Sequence, residues 1–317
     1  MLAILLFRLS VLLGLFIIPV LLGGCMPASL KTAGSLAQDL ERDGSIHRFK
    51  LRIPEQKLPN QVITQDIPAE DELVRCRKPL LVMLHGTPGD WKIFAPQFAD
   101  ERLSSAYHLI AIERPGWGGS RIENTQGLGA QGGVQVELDR QVEALKPAQN
   151  WLGQCRAQPL VLLGHSYGAT LAPLLAKSLQ DSGNPPAALV LLAGNYSDTA
   201  QHTRWYNKLA DTRVVQWMIG DGLTQSNDEM MALNTELAKL DPVWKQLDSK
   251  LIFVQGSKDK LVSPANLDYA LQLQQEQVFR RRADIIRLNG EGHLFHLVHP
   301  ARLSNRLLEL KASIANK

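Results

Sequence analysis

The chain contains 317 residues, of which 45% are apolar and 21% are charged. This composition is typical of a globular protein with one large core, and it favours one α/β domain with an insertion over two independent domains. The net charge of +3 is small and no basic cluster is interleaved with aromatic residues, which argues against a nucleic acid partner. No nucleotide-binding glycine motif follows a strand, and we predict no cofactor.

The first 24 residues have the pattern of an export signal. Arg8 precedes an apolar run over residues 9–22, which is short for a transmembrane helix. The Leu-Gly-Gly-Cys run at 22–25 resembles a bacterial lipobox, and this resemblance implies that Cys25 is acylated and begins the mature protein. A plain secreted or membrane-spanning protein is the alternative.

The residues after Cys25 extend this interpretation. In lipoproteins of double-membraned cells, Met26 in place of aspartate implies sorting to the periplasmic side of the outer membrane. Residues 25–45 are polar and contain small side chains, so we expect them to tether the domain that follows.

Strands and helices are predicted along the rest of the chain. Alternating residues at 49–53 predict a half-buried edge strand, and 61–67 is a weaker second strand. Apolar runs typical of buried strands occur at 80–84, 107–112, 160–163, 187–194, 251–254 and 285–288. Helices are predicted at 169–179, at 301–312, and at 134–154 with an irregularity at Pro147.

The run at 160–169 is the most informative in the sequence. Four apolar residues lead into G-x-S-x-G, and a helix-forming segment follows. A tight turn between strand and helix lifts Ser166 above the sheet with a strained backbone. Side chains at Gly164 and Gly168 would strike the neighbouring strand and helix. For the pentapeptide alone, a structural turn with a surface serine is the alternative.

This run resembles the nucleophile elbow of the α/β-hydrolase family, and further segments match the same family in order. Residues 85–89 are similar to the family's oxyanion loop, 256–259 to its G-x-x-D turn, and 290–293 to its G-x-G-H loop. The resemblance covers roughly residues 46–317. It implies a mostly parallel central sheet flanked by helices, with a helical cap inserted at about 195–249.

The resemblance also implies the roles of individual residues. Ser166 is the expected nucleophile, His293 the base and Asp259 the acid that orients the base. Asp198, after the preceding strand, is the rival for the acid because some members of the family place it there. A turn aspartate that caps the next helix is the alternative interpretation of Asp259.

Two further features concern the loops beside the site. The main-chain N–H groups of Thr87 and Tyr167 are the expected donors to an oxyanion. Residues 113–120 resemble the family's D-x-P-G-x-G-x-S segment, with Glu113 in place of aspartate. We interpret this segment as structural and expect Arg114 to be held in an ion pair.

The remaining cysteines, Cys76 and Cys155, form an even pair in an oxidising compartment. Each lies just before an apolar strand, and in the α/β-hydrolase family those two strands are parallel neighbours. The resemblance therefore predicts a disulfide bond at the base of the sheet, away from catalysis. Two buried free thiols are the alternative.

The segment 195–249 is predicted to contain several short helices, with breaks at 220–222 and at Pro242. Its aromatic and methionine residues either line an apolar acyl pocket or pack the cap onto the core.

A metal site is the alternative interpretation of the histidine loop. Three histidines, at 293, 296 and 299, lie close together in the sequence, but no acidic or cysteine ligand is interleaved. We therefore predict no metal and place His296 and His299 at the start of the terminal helix.

Together these features predict an exported, lipid-anchored monomer that cleaves a small or medium ester or thioester through an acyl-serine intermediate. An acyltransferase, a peptidase and a carbon–carbon bond hydrolase use the same triad and stay open. So does a non-catalytic binding protein of the same fold. Epoxide hydrolases and haloalkane dehalogenases are disfavoured because their nucleophile is aspartate.

Overall fold

The computed structural model describes residues 27–43, 46–51, 60–65, 76–120, 136–200 and 205–315. The predicted export signal at 1–24, Cys25 and Met26 lie outside the described residues. Within the described part, the strands are β1 Ile46–Leu51, β2 Asn60–Gln65, β3 Leu80–Leu84, β4 His108–Glu113, β5 Leu160–His165, β6 Ala188–Leu192, β7 Lys250–Gly256 and β8 Asp284–Leu288.

These strands form one sheet in the order β1-β2-β4-β3-β5-β6-β7-β8. The six strands from β3 to β8 are parallel, whereas β2 is antiparallel to both β1 and β4. Strands β3 to β6 are fully buried, as their apolar runs predict. The mostly parallel α/β sheet is therefore confirmed.

The helices within the described residues are α1 Ala28–Arg42, α2 Ala95–Phe98, α3 Glu101–Ala106, α4 Leu138–Ala144, α5 Lys146–Leu152, α6 Tyr167–Asp181, α7 Trp205–Ala210, α8 Arg213–Ile219, α9 Asp221–Glu236, α10 Leu240–Trp244, α11 Ala265–Gln275, α12 Phe295–Val298 and α13 Pro300–Ala315. They cover both faces of the sheet. Alternate residues of β3 show this, since Leu80 and Val82 pack in the core on one face, while Leu81 and Met83 pack in the core on the other.

The expected tether at 25–45 is wrong over most of its length, because residues 28–42 form α1. Ala33, Ala37 and Leu40 are spaced to lie on one face of this helix and are buried. Ala37 and Leu40 pack in the layer that contains α2, α12 and α13. Because the segment is mostly polar and its buried stripe consists mostly of small residues, the sequence did not predict a packed helix here.

The irregularity predicted at Pro147 is present two residues earlier, whereas the break predicted at Pro242 is not found. The expected helix at 134–154 is two helices within the described residues, α4 and α5, which are separated at Leu145. Pro147 lies in the first turn of α5, where its missing N–H is not needed. Pro242 likewise lies inside the first turn of α10 and does not break it, whereas Gly220, with φ of 75°, separates α8 from α9 as predicted.

The helices α7 to α10 lie between β6 and β7 in the chain, in the segment expected to form a cap. Helices α7, α8 and α9 contact one another, whereas α10 packs against α6. Trp244 of α10 is completely buried beside Tyr196 and Phe253, so it belongs to the main core. Trp217 of α8, in contrast, is 86% exposed.

A disulfide bond joins Cys76 and Cys155, with their Cα atoms 5.0 Å apart. The two cysteines precede β3 and β5, which are parallel neighbours that pair Leu80 with Leu160 at their first residues. The predicted bond is therefore confirmed, and it lies at the sheet edge opposite to the ends of the strands that carry the site.

Candidate active site

Ser166 lies in the turn between β5 and α6, in the left-handed region with φ of 55° and ψ of −124°. A Cβ atom on Gly164 would lie 2.4 Å from the carbonyl oxygen of Gly168, and one on Gly168 would lie 2.3 Å from that of Leu84. Both positions therefore require glycine, and the strained turn predicted from the sequence is confirmed.

The loop after β3 approaches Ser166 closely. A Cβ atom on Gly86 would lie 2.9 Å from Cβ of Ser166 and 3.4 Å from its Oγ. Glycine at this position lets the main chain of the loop reach the serine. Thr87 follows Gly86, and Tyr167 is the first residue of α6. The two expected oxyanion donors thus belong to chain segments that flank the same serine.

Asp259 follows β7, and its carboxylate is held by four hydrogen bonds. Oδ1 accepts from the main-chain N–H groups of Leu261 and Val262, each at 2.9 Å. Oδ2 accepts from Nε2 of Gln255 and from Nδ1 of His293, each at 2.8 Å. The Asp259 side chain is completely buried. Asp259 therefore orients the imidazole of His293 and also caps the turn in which it lies. The two interpretations from the sequence, an orienting acid and a capping aspartate, both apply to it.

The imidazole of His293 is mostly buried, with 10% of its side chain exposed. Because Nδ1 donates to Asp259, Nε2 is the nitrogen left to accept a proton. Asp198, the other candidate for the acid, is exposed on the protein surface after β6. The structure therefore brings Asp259, rather than Asp198, into contact with His293.

A second histidine links the serine turn to this loop. Nε2 of His165, the residue before Ser166, lies 3.1 Å from the carbonyl oxygen of His293. The His165 ring also lies between the rings of His293 and His296, with centroids 4.7 and 4.2 Å away. The turn that carries Ser166 and the loop that carries His293 are therefore in direct contact.

These buried imidazoles are held in their neutral form. Burial lowers the pKa of His165 well below its usual value, and His296 and His293 lower it further. Burial lowers the pKa of His296 to about 3. Within the described part of the chain, neither ring nitrogen of His296 has a hydrogen-bond partner. Sequence analysis missed this pair, and no sequence signal indicates that their rings are in contact.

The three histidines considered for a metal do not converge on one centre. Nδ1 of His293 binds Asp259, the His296 ring packs on His165, and Nε2 of His299 lies 3.4 Å from Glu291. The expectation that His296 and His299 begin the terminal helix is wrong. His296 belongs to α12, and His299 lies between α12 and α13.

Arg114, immediately after β4, forms the ion pair expected of it, and its partner is Glu229 of α9. Both side chains are completely buried, and Nη1 and Nη2 of Arg114 lie 2.8 and 3.1 Å from the two carboxylate oxygens. Trp117 also donates to Glu229, at 3.0 Å. Sequence analysis missed Glu229, since nothing distinguishes it from the other acidic residues of its helix.

The loop after β4 has a separate support. The carboxylate of Glu113, which stands where the family's motif has aspartate, accepts from the main-chain N–H of Gly119 at 2.6 Å. A side chain on Gly118 would overlap this carboxylate. The structural role predicted for the segment therefore rests on a carboxylate–main-chain contact.

A polar cleft of about 670 Å³ lies beside the loop that follows β3. It separates the start of α9 from two core loops, and its lining residues include Pro88, Gly89, Asp90, Trp117, Ile219 and Leu223. On the side of the loop after β3, the lining begins at Pro88, which directly follows Thr87.

Comparison with known proteins shows which family the chain belongs to. Residues 81–306 match the model of the alpha/beta hydrolase family, which is more than half of the chain. The chain belongs to the alpha/beta hydrolase family. The fold and the sequence motifs both agree with this assignment.

Curated relatives of the hydrolase are matched over only part of their length. The chain is 30% identical over 100 residues to epoxide hydrolase 3 of Xenopus tropicalis, covering 30% of the chain and 23% of the relative. It is 31% identical over 118 residues to the lysophosphatidylserine lipase ABHD12 of Danio rerio, covering 36% and 27%. The matches thus span about a quarter of the relatives' length.

Solved structures share the fold of the hydrolase over most of the chain. A bacterial membrane phospholipase A superposes with a TM-score of 0.61 at 14% identity, covering 97% of this chain and 99% of that one. A lipase structure from Acinetobacter baumannii AYE superposes with a TM-score of 0.59 at 14% identity, covering 92% and 98%. At 14% sequence identity, the similarity to these two structures is a similarity of fold alone.

Proposed function

We propose that this protein is a serine hydrolase that cleaves a small or medium ester or thioester through an acyl-serine intermediate. The observation that carries the proposal is the 2.8 Å hydrogen bond between Asp259 and His293, in a loop that contacts the strained turn of Ser166. An aspartate that fixes the tautomer of a histidine beside an activated serine is the arrangement that acyl transfer requires.

The proposed reaction has two steps. In the first, Oγ of Ser166 attacks the acyl carbon while Nε2 of His293 takes the hydroxyl proton. The N–H groups of Thr87 and Tyr167 stabilise the oxyanion. His293 then gives its proton to the departing alcohol or thiol. In the second step His293 takes a proton from water, which attacks the acyl carbon. The bond to Oγ then breaks, the acid is released, and His293 returns the proton to Oγ of Ser166.

The relatives support an acyl substrate more than an epoxide. The lysophosphatidylserine lipase named above is a relative by sequence, and so is a probable 1-acylglycerol-3-phosphate O-acyltransferase from rice, at 28% identity over 138 residues. Serine occupies the elbow here, which argues against the aspartate chemistry that we associate with epoxide hydrolases. An acyltransferase differs only in the acceptor that enters the second step.

The proposal is tested by labelling the purified protein with a fluorophosphonate probe, with Ser166→Ala as the control. We expect labelling of the wild-type protein alone, and then hydrolysis of a chain-length series of p-nitrophenyl esters. Absence of both labelling and turnover in a folded sample would overturn the proposal in favour of a binding protein. Product analysis with added glycerol separates hydrolysis from acyl transfer.

We also propose that the protein is exported and anchored to a membrane through acylated Cys25, as a monomer on the periplasmic side of an outer membrane. Within the described residues, no helix has the length and apolar character needed to cross a bilayer. The support for an anchor is the lipobox-like run at 22–25.

The direction of α1 is consistent with such an anchor. Strand β1 runs parallel to β3–β8, and α1 ends shortly before β1 in the chain, so α1 ends near the edge where those strands begin. Its contacts with residues 91–94 and with α12 lie towards the opposite edge, where Ser166 is found. The first residue of α1, three positions after Cys25 in the sequence, therefore lies on the side of the site.

Incorporation of radiolabelled palmitate tests the anchor. We expect labelling of the wild-type protein in membranes, loss of labelling in Cys25→Ser, and a monomer by light scattering after detergent extraction. Unlabelled wild-type protein in the soluble fraction would contradict the anchor without affecting the proposed chemistry.

A further inference from the structure

Arg114 makes more contacts than an ion pair requires. Its Nε donates to the carbonyl oxygen of His85 at 3.1 Å, and its Nη2 donates to that of Gly86 at 3.0 Å. Its guanidinium also lies over the ring of Tyr167, 4.5 Å from the centroid. One side chain therefore touches both chain segments that carry the proposed oxyanion donors.

His85 completes the support of the same carbonyl. The main-chain N–H of Arg114 donates to Nε2 of His85 at 3.0 Å, so Nδ1 carries the proton and donates to the carbonyl oxygen of Gly86 at 2.8 Å. The carbonyl of Gly86 thus accepts two hydrogen bonds, and its direction is fixed.

The direction of that carbonyl determines the direction of the next N–H. In a trans peptide the C=O of one residue and the N–H of the next point to opposite sides. The Gly86–Thr87 bond is trans, since the only cis bond in the described residues is Thr87–Pro88. Holding the Gly86 oxygen against Arg114 and His85 therefore aims the Thr87 N–H away from them.

Glu229 connects this arrangement to the cap segment. Its two carboxylate oxygens bind the two terminal nitrogens of Arg114, and it is the only carboxylate that the described structure pairs with this buried guanidinium. Gln141 also accepts from Nη1, at 2.9 Å. Without Glu229, the guanidinium would be a buried positive charge whose partners are all neutral. Burying such an uncompensated charge is unfavourable, so the side chain is expected to leave this position.

We propose that Arg114 is a positioning residue for the oxyanion hole, and that Glu229 of α9 holds it in place, so that docking of α9 sets the direction of the Thr87 N–H. The inference rests on the proposed function, because it assigns a reason for the geometry of a donor used in that reaction. Neither residue touches substrate, since both side chains are completely buried.

The test compares Glu229→Gln with Glu236→Gln in the full chain. Glu236 is a matched control because it lies on the same helix, is also mostly buried, and binds a core element through the main-chain N–H of Leu138 at 2.8 Å. None of the side-chain hydrogen bonds of Arg114 described above involves Glu236. Both variants weaken the contact between α9 and the core, but only one releases Arg114.

Kinetics on p-nitrophenyl butyrate and binding of a matching trifluoromethyl ketone provide the measurements. For Glu229→Gln we expect kcat to fall about tenfold or more with little change in KM, and ketone affinity to fall in parallel, because the ketone adduct needs the oxyanion donors. Glu236→Gln keeps kcat within about twofold.

If Glu229→Gln does not fold, Glu229→Asp gives the same comparison against Glu236→Asp. It keeps the charge but shortens the reach to Arg114. Equal kcat and equal ketone affinity in the folded Glu229 and Glu236 variants would overturn the inference. Turnover by the wild-type protein in the same experiment would leave the proposed function intact. A wild-type protein without turnover or serine labelling would instead remove the proposed function itself.

Discussion

His165 binds the main chain of His293, with its Nε2 3.1 Å from the carbonyl oxygen. A carbonyl only accepts, so Nε2 of His165 carries the proton. Since His165 precedes Ser166 directly, this bond joins the proposed nucleophile's turn to the proposed base's loop. The distance between serine and base is thereby controlled by a residue that takes no part in the reaction.

Replacing His165 by leucine is expected to lower kcat about tenfold, because the His293 loop loses its tie to the serine turn. His165→Gln, whose amide retains an N–H donor, is expected to recover most of the activity. Steady-state kinetics on a soluble ester check both variants. Equal kcat in the leucine variant and the wild type would show that the loop is held by its other contacts.

The buried histidines predict weak stability in acid. His296 has a pKa of about 3 in the folded protein, below its usual 6.5. Below pH 6.5 the unfolded chain therefore binds the proton more strongly. Stability falls as the pH drops from 6.5 towards 3, by about 1.4 kcal/mol per pH unit for this group.

The variant His296→Phe removes this contribution. Between pH 6.5 and 5 we expect the variant to lose about 2 kcal/mol less stability than the wild type, as measured by guanidinium unfolding. The exposed His299→Phe serves as the control and should follow the wild type. Parallel curves for wild type and His296→Phe would mean that the ring is protonated in the folded state.

One pair of substitutions distinguishes between Asp259 and Asp198 as the acid of the proposed triad. Asp259→Asn keeps an oxygen for Leu261 and Val262 but faces His293 with an amide group, which favours the wrong tautomer. We expect kcat to fall by about a thousandfold or more. Asp198→Asn, on an exposed residue, should leave kcat within about twofold. The reverse ranking would transfer the role of the acid to Asp198.

The disulfide bond is expected to matter for stability alone. It closes a sequence separation of 79 residues at the edge opposite the site. The double variant Cys76→Ser, Cys155→Ser should lose about 4.5 kcal/mol by the loop-entropy estimate. Its kcat at 25 °C should stay unchanged, and urea unfolding beside ester turnover measures both. A large loss of kcat in the folded variant would show that the bond supports the site.

Much of the fold and the site can be read from the sequence because the signals are local. An apolar run of strand length and a serine between two glycines each depend on neighbouring residues, so they predict β5 and the tight turn at Ser166. The resemblance to a family then implied the order of Ser166, Asp259 and His293. It also implied the parallel neighbours β3 and β5, and with them the bond between Cys76 and Cys155.

Contacts between distant segments were decided by the tertiary structure alone. Arg114 and Glu229 are 115 residues apart, and only the docking of α9 brings the carboxylate to the guanidinium. The ring contact between His165 and His296 and the packing of α1 depend in the same way on which surfaces meet. Sequence periodicity determines which face of a helix is apolar, but the partner of a buried charge is determined by packing in three dimensions.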